Sequence, residues 1–170
     1  MPIFVHITSE ENAGKVRRSG LRFDKPKGPR QWGVFAMPVT PSFQITHQWV
    51  REVKQWRRGA MVGVYFRLPD SEVVWVGRYN EVHQQMTAAQ AVALVMAETT
   101  MTGVQVIIPR RILRKEILRV RRVPQVVGWR HYPEAHGKRP WACECCQKGA
   151  YGSRKIREKY ADPMESSSRG

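Results

Sequence analysis

The chain opens on alternation. In residues 3–8 Ile3, Val5 and Ile7 fall on one side of a period-two strand, and Phe4, His6 and Thr8 fall on the other. The apolar row is expected to face a core and His6 the opposite side. Thr8 followed by Glu11 reads as a capping box that starts a helix carrying Ala13 and Val16 inward, with Gly20 as its left-handed stop. Residues 23–32, rich in Pro, Gly and Lys, read as a loop, and 33–38 as a short strand. Phe43, Ile45, Trp49, Val50, Val53 and Trp56 have the spacing of one helix face from about Thr46, ended by Gly59. Two β-branched and aromatic runs, 61–68 and 72–79, are strands joined by turn chemistry at Pro69-Asp70-Ser71. Thr87 and Gln90 form a second capping box, opening an Ala-rich helix over 87–99, and 104–109 is another strand. The sum is an α+β chain with five or more short strands and three short helices. It lacks the βαβ alternation of a doubly wound sheet.

At 170 residues and 42% hydrophobic content, one domain with a real core is expected. No apolar run approaches the ~18–20 residues of a membrane span, and no leader pattern is present, so the expected location is cytoplasmic. The formal charge of +15 changes the picture more. Residues 110–159 hold 15 Lys and Arg against 4 Asp and Glu. Such a block suits a polyanion, either nucleic acid or the phosphates of a nucleotide. The plainer reading is a solvated face. The division expected is a domain over 1–124, a basic Cys/His-containing extension over 125–160 and a disordered tail over 161–170.

The order of elements carries a further signal. The stretch FVHIT…RSGLR at 4–22, GVFAMP at 33–38 and the later strands MVGVYFRL and VQVIIP together resemble the ADP-ribosyltransferase superfamily over roughly residues 3–110. The resemblance implies a mixed, split β-sheet core that takes NAD⁺ as substrate and breaks its bond between nicotinamide and ribose. It places the three marked family positions on His6, Phe35 and Gln105 as catalytic residues, with His6, Thr8 and Phe35 binding the NAD⁺. A histidine can hold a ribose hydroxyl, and an aromatic ring can stack on nicotinamide. An acidic group can stabilise the cationic sugar of the transition state. Two departures stand out. Phe35 replaces the usual Tyr, and Gln105 replaces the usual Glu, so another carboxylate such as Glu81 or Glu98 would have to act, or the member is divergent. A branch that transfers an RNA 2′-phosphate to NAD⁺ would need arginines such as Arg17, Arg18 and Arg22, and no other motif of that branch accompanies them.

Beyond residue 124 the chemistry changes. His131 and His136 are spaced H-x₄-H, and Cys143 and Cys146 are spaced C-x₂-C, both suited to a tetrahedral zinc site. The order is reversed from ordinary zinc fingers and the gap is short, so three reduced thiols in a loop are the plainer alternative. Candidate nucleic-acid contacts are Arg110, Arg111, Arg114, Arg121, Arg122, Lys138, Arg139, Lys148, Arg154 and Lys155. Trp129, Tyr132, Trp141 and Tyr151 interleave the distal ones, which suits base stacking or, equally, plain anchoring of the tail to the sheet. The expected function is an NAD⁺-dependent transferase that modifies a nucleic acid or a nucleic-acid-associated target. Small toxin-like members of the family add an inhibitor protein to the expected partners. The alternative is a catalytically silent nucleic-acid-binding module with a zinc-stabilised basic tail.

Overall fold

β1 (Ile3–Ser9) lies near the middle of a seven-stranded sheet. The computed structural model describes residues 1–23, 32–57, 59–79, 81–97, 101–125 and 127–128. Met1–Trp129 form one compact unit. The other strands are β2 (Val34–Pro38), β3 (Met61–Arg67), β4 (Val73–Arg78), β5 (Gln84–Thr87), β6 (Val104–Ile108) and β7 (Ile117–Arg122). Their order across the sheet is β5-β4-β6-β2-β1-β3-β7. The class is α+β, as expected, but every ladder is antiparallel and not mixed. A parallel neighbour needs a crossover that carries the chain back along a strand. The first helix, α1 (Ala13–Ser19), rises only about 10 Å, less than half the length of β1.

Local chemistry explains most element ends. Thr87 and Gln90 exchange hydrogen bonds, 2.9 Å from the Thr87 N–H and 3.2 Å from the Gln90 N–H, and open α4 (Ala88–Ala97). The first cap is displaced by one residue. Ser9 Oγ accepts from the Glu11 N–H, while Thr8 Oγ1 accepts from the Asn12 amide. Gly20, at φ 77°, ends α1 by donating its N–H to the Val16 carbonyl. A Cβ there would stand 2.1 Å from the Ile112 carbonyl oxygen, so glycine is required twice over.

The single helix expected from about Thr46 is two: α2 (Phe43–His47), capped by Ser42, and α3 (Val50–Trp56). The break falls at Gln48 and Trp49. The fully buried Gln48 accepts from the Gly103 N–H at 2.7 Å and donates to the Met101 carbonyl at 3.0 Å. Trp49 Nε1 donates to the Val104 carbonyl at 2.8 Å. Both side chains are thereby fastened to the segment that leads into β6.

The core occupies both sides of β1. Phe4 is as fully buried as Val5, although it shares a row with His6. A central strand covered on both faces does not keep the one-sided burial that its alternation suggests. Phe4 and Phe66 stack at 6.2 Å within this core. The turn at Pro69-Asp70-Ser71 joins β3 and β4, which do not pair and lie in different halves of the sheet. Its carbonyls instead receive the first N–H groups of α4: Ala88 donates to Glu72 and Ala89 to Asp70.

Candidate active site

The sheet is weakest where β1 meets β2. They share only Phe4↔Pro38 and Val5↔Met37, whereas β1 follows β3 from Ile3↔Arg67 to Ser9↔Met61. Past Val5 the two strands part, and a cavity of about 310 Å³ opens at the gap. It is lined by Val5 to Thr8 of β1, Phe35 to Met37 of β2, Gln105 of β6, and Trp49, Val53 and Arg57 from α3 and its flanks.

Register explains how these side chains meet. Directly paired residues of neighbouring strands share a face. Val5↔Met37, Phe35↔Ile107 and Gln105↔Gly77 therefore put Phe35, Gln105 and Val5 in one row system. His6 belongs to the opposite row of β1. It reaches the same cavity because the cavity fills the gap between strands. Its Nδ1 donates to the Phe35 carbonyl at 2.7 Å, which satisfies a backbone acceptor where the ladder has ended. A carbonyl can only accept, so Nδ1 carries the hydrogen and Nε2 keeps its lone pair. Burial pushes the imidazole below the ordinary value of 6.5, against the opposing effect of the Phe35 hydrogen bond. His6 is thus a neutral acceptor at pH 7.

The four expected NAD⁺-site residues, His6, Thr8, Phe35 and Gln105, all line this one cavity. Phe35 is 45% exposed, unusual for a phenylalanine in a central strand, and its ring is available to a ligand. Among the described residues no carboxylate lines the cavity. Glu81 is exposed and lies on the loop after β4, and Glu98 lies outside the described residues. Gln105 donates to His83 Nε2 at 3.0 Å. The sequence offered no sign of His83, which lies in a polar connection, nor of Arg57, which supplies a cation to the cavity. Trp49 was legible only as a member of an apolar helix face.

The basic candidates separate into kinds. Arg110 is held by two carboxylates, with Nη2 2.7 Å from Glu72 and 2.7 Å from Glu116. Its place is structural: it ties the start of β4 to the turn before β7, and it is already more than neutralised. Those contacts keep its own charge firmly in place, and they hold Glu116 below the ordinary carboxylate value against the cost of its burial. Arg122 pairs with Glu10 in an exposed contact at 2.8 Å. Arg111 and Arg114 are exposed. Arg121 lies with Arg119 over the ring of Tyr65, at 4.9 and 4.7 Å. Lys138, Arg139, Lys148, Arg154 and Lys155 lie outside the described residues, as does the expected zinc quartet of His131, His136, Cys143 and Cys146. Among the described residues no group of three or more His, Cys, Asp or Glu could hold a metal ion, and no helix is long and apolar enough to cross a membrane.

No protein-family model, no curated protein and no solved structure matches this chain.

Proposed function

We propose that the protein is an ADP-ribosyltransferase-like enzyme that takes NAD⁺ in the β1–β2 gap and transfers ADP-ribose to a nucleic acid or a nucleic-acid-associated target. One observation carries this reading: His6, Thr8, Phe35 and Gln105, taken from three different strands, line a single cavity. Its volume is at the lower end of small-molecule sites, enough for the nicotinamide and its ribose. The rings of Phe35 and Trp49 give nicotinamide aromatic walls. The Nε2 of His6 accepts a ribose hydroxyl, and Arg57 offers a positive charge to the pyrophosphate.

In the reaction the bond from the anomeric carbon to the pyridinium nitrogen breaks. Its electron pair stays with nicotinamide, which leaves neutral. A nucleophile of the acceptor bonds to the anomeric carbon and releases its proton to water. The cationic sugar between these events is held by oriented dipoles, with no formal negative charge among the described lining residues.

The test is nicotinamide release from NAD⁺ by the purified full chain, with and without DNA or RNA. His6→Ala is expected to lower the rate by about a hundredfold, the usual scale for a preorganised polar contact. Failure of the wild-type chain to release nicotinamide with any acceptor would overturn the enzyme reading. The absence of a cavity carboxylate would then favour the second reading, a silent nucleic-acid-binding module with a zinc-stabilised basic tail. Its mark would be salt-sensitive nucleic-acid binding without NAD⁺ turnover.

A further inference from the structure

His83 stands directly behind Gln105 and makes no contribution to the cavity wall itself. Its position is prepared by the sheet. Gly77 is the β4 residue directly opposite Gln105. A Cβ at position 77 would lie 2.8 Å from His83 Cγ and 3.0 Å from its Cα. The glycine is therefore the floor on which the imidazole rests, next to the Gln105 amide. The other ring nitrogen, Nδ1, lies 3.0 Å from the Glu81 carbonyl oxygen.

These two contacts fix every hydrogen in the chain. The Glu81 carbonyl accepts only, so Nδ1 is protonated. In the neutral ring Nε2 is then a lone pair. Gln105 must meet that lone pair with its NH₂ group. The other end of the amide, Oε1, is left as the acceptor for whatever occupies the cavity. We infer that His83 is a positioning residue, which holds the Gln105 carbonyl oxygen toward a hydroxyl of the bound ligand and reverses the amide when it gains a proton. This rests on the proposed NAD⁺ site for the identity of that ligand, a ribose hydroxyl.

Protonation turns Nε2 into a donor. The favourable partner for it is then Oε1, so the amide turns over and presents NH₂ to the cavity. A hydroxyl can still accept from NH₂, but a cationic sugar is repelled by it. Among the described residues the groups around His83 are these. Its own loop brings the Glu81 carboxylate, β4 brings Gly77, and β6 brings Gln105, so Glu81 is the charge that acts on it. Burial lowers the affinity of the ring for its proton, the Glu81 carbonyl and carboxylate raise it, and the balance lies below the ordinary 6.5. At neutral pH the acceptor arrangement prevails.

The experiment is ¹⁵N NMR of the full chain labelled in histidine and glutamine, titrated through acid. The expected result is a neutral His83 in the Nδ1–H form, and a Gln105 side-chain NH₂ signal that shifts with the same midpoint as His83. A neutral Nε2–H form, or a Gln105 signal that ignores the His83 midpoint, would overturn the inference. Nicotinamide release from NAD⁺ as a function of pH adds a functional arm. The rate of nicotinamide release by the wild type is expected to fall on acidification by about tenfold more than that of His83→Ala, because the turned amide repels the cationic sugar of the transition state. Comparing the two proteins removes the titration of His6, which both retain. Equal acid losses in the two would overturn the positioning role. Should NAD⁺ fail to bind at any pH, the proposed function falls, and the tautomer and amide signals still decide the arrangement of His83 and Gln105.

Discussion

Restoring a carboxylate at the cavity through Gln105→Glu tests the electrostatics of the site at its sharpest point. The new carboxylate would sit about 3.0 Å from His83 Nε2, where the amide now lies. A lone pair facing a carboxylate is repulsive, so His83 gains a reason to hold a second proton. With a water-like dielectric the attraction at that distance is about 1.4 kcal/mol, or about one pKa unit. His83 is partly buried, so this fully screened figure is a floor. The midpoint of His83 should thus rise by about one unit or more from its present place below 6.5. The sign for stability follows. Relative to wild type, the gain of the variant is fully present below the wild-type His83 midpoint and is lost as pH rises through the variant's own, higher midpoint. Urea unfolding should show Gln105→Glu gaining on wild type near pH 6 and losing the gain toward pH 9. Nicotinamide release should move the other way. As His83 sheds its proton at higher pH the carboxylate is freed, and the variant should exceed wild type by up to about a hundredfold. An unchanged or lowered His83 midpoint in the NMR titration would refute the reasoning.

Gly20→Ala should destabilise by about 2 kcal/mol or more, since its Cβ meets the Ile112 carbonyl and its φ is positive, whereas Gly59→Ala, with open space at φ 83°, should cost only about 1 kcal/mol. Equal urea midpoints for the two variants would contradict this. Arg110→Met should lower stability by about 1–3 kcal/mol, because Glu72 and Glu116 are left unpaired, and should leave nucleic-acid affinity nearly unchanged. Arg121→Ala should do the opposite, lowering the salt slope of binding by about one. A chain ended at Gly128 should lose most nucleic-acid affinity. That cut keeps Gln125, whose amide bonds both the N–H and the carbonyl of Met61 at the start of β3, and keeps the Val127 carbonyl that accepts from Arg51. Equal binding by the shortened chain would return the basic block to a solubilising role. Elemental analysis of protein purified without added metal should find about one zinc per chain, and less than ~0.2 with three rapidly titratable thiols would reject the Cys/His site.

The sequence by itself determined the elements whose causes are local. Alternation marked β1, runs of β-branched and aromatic residues marked β3 and β4, short apolar stretches marked β2 and β6, and the reciprocal Thr87–Gln90 cap marked α4, because strand composition and a helix's first turn depend on residues a few positions apart. The resemblance pointed to His6, Phe35 and Gln105 as well, and the structure brings all three to the wall of one cavity. The sequence could not show β7. Ile117 and Val120 are three apart, a helical spacing, and fall on one face only because a bulge at Tyr65/Phe66 opposite Leu118 inserts an extra residue. Nor could it show β5, a short polar strand at the sheet edge. Tertiary structure alone decided which strands are neighbours. It separated β3 from β4 despite their turn, and ended the β1–β2 ladder after Val5↔Met37 so that a cavity could open. It also seated His83 on Gly77 beside Gln105. Each of these depends on pairings between residues far apart in the chain, and periodicity along one segment holds no information about its partner.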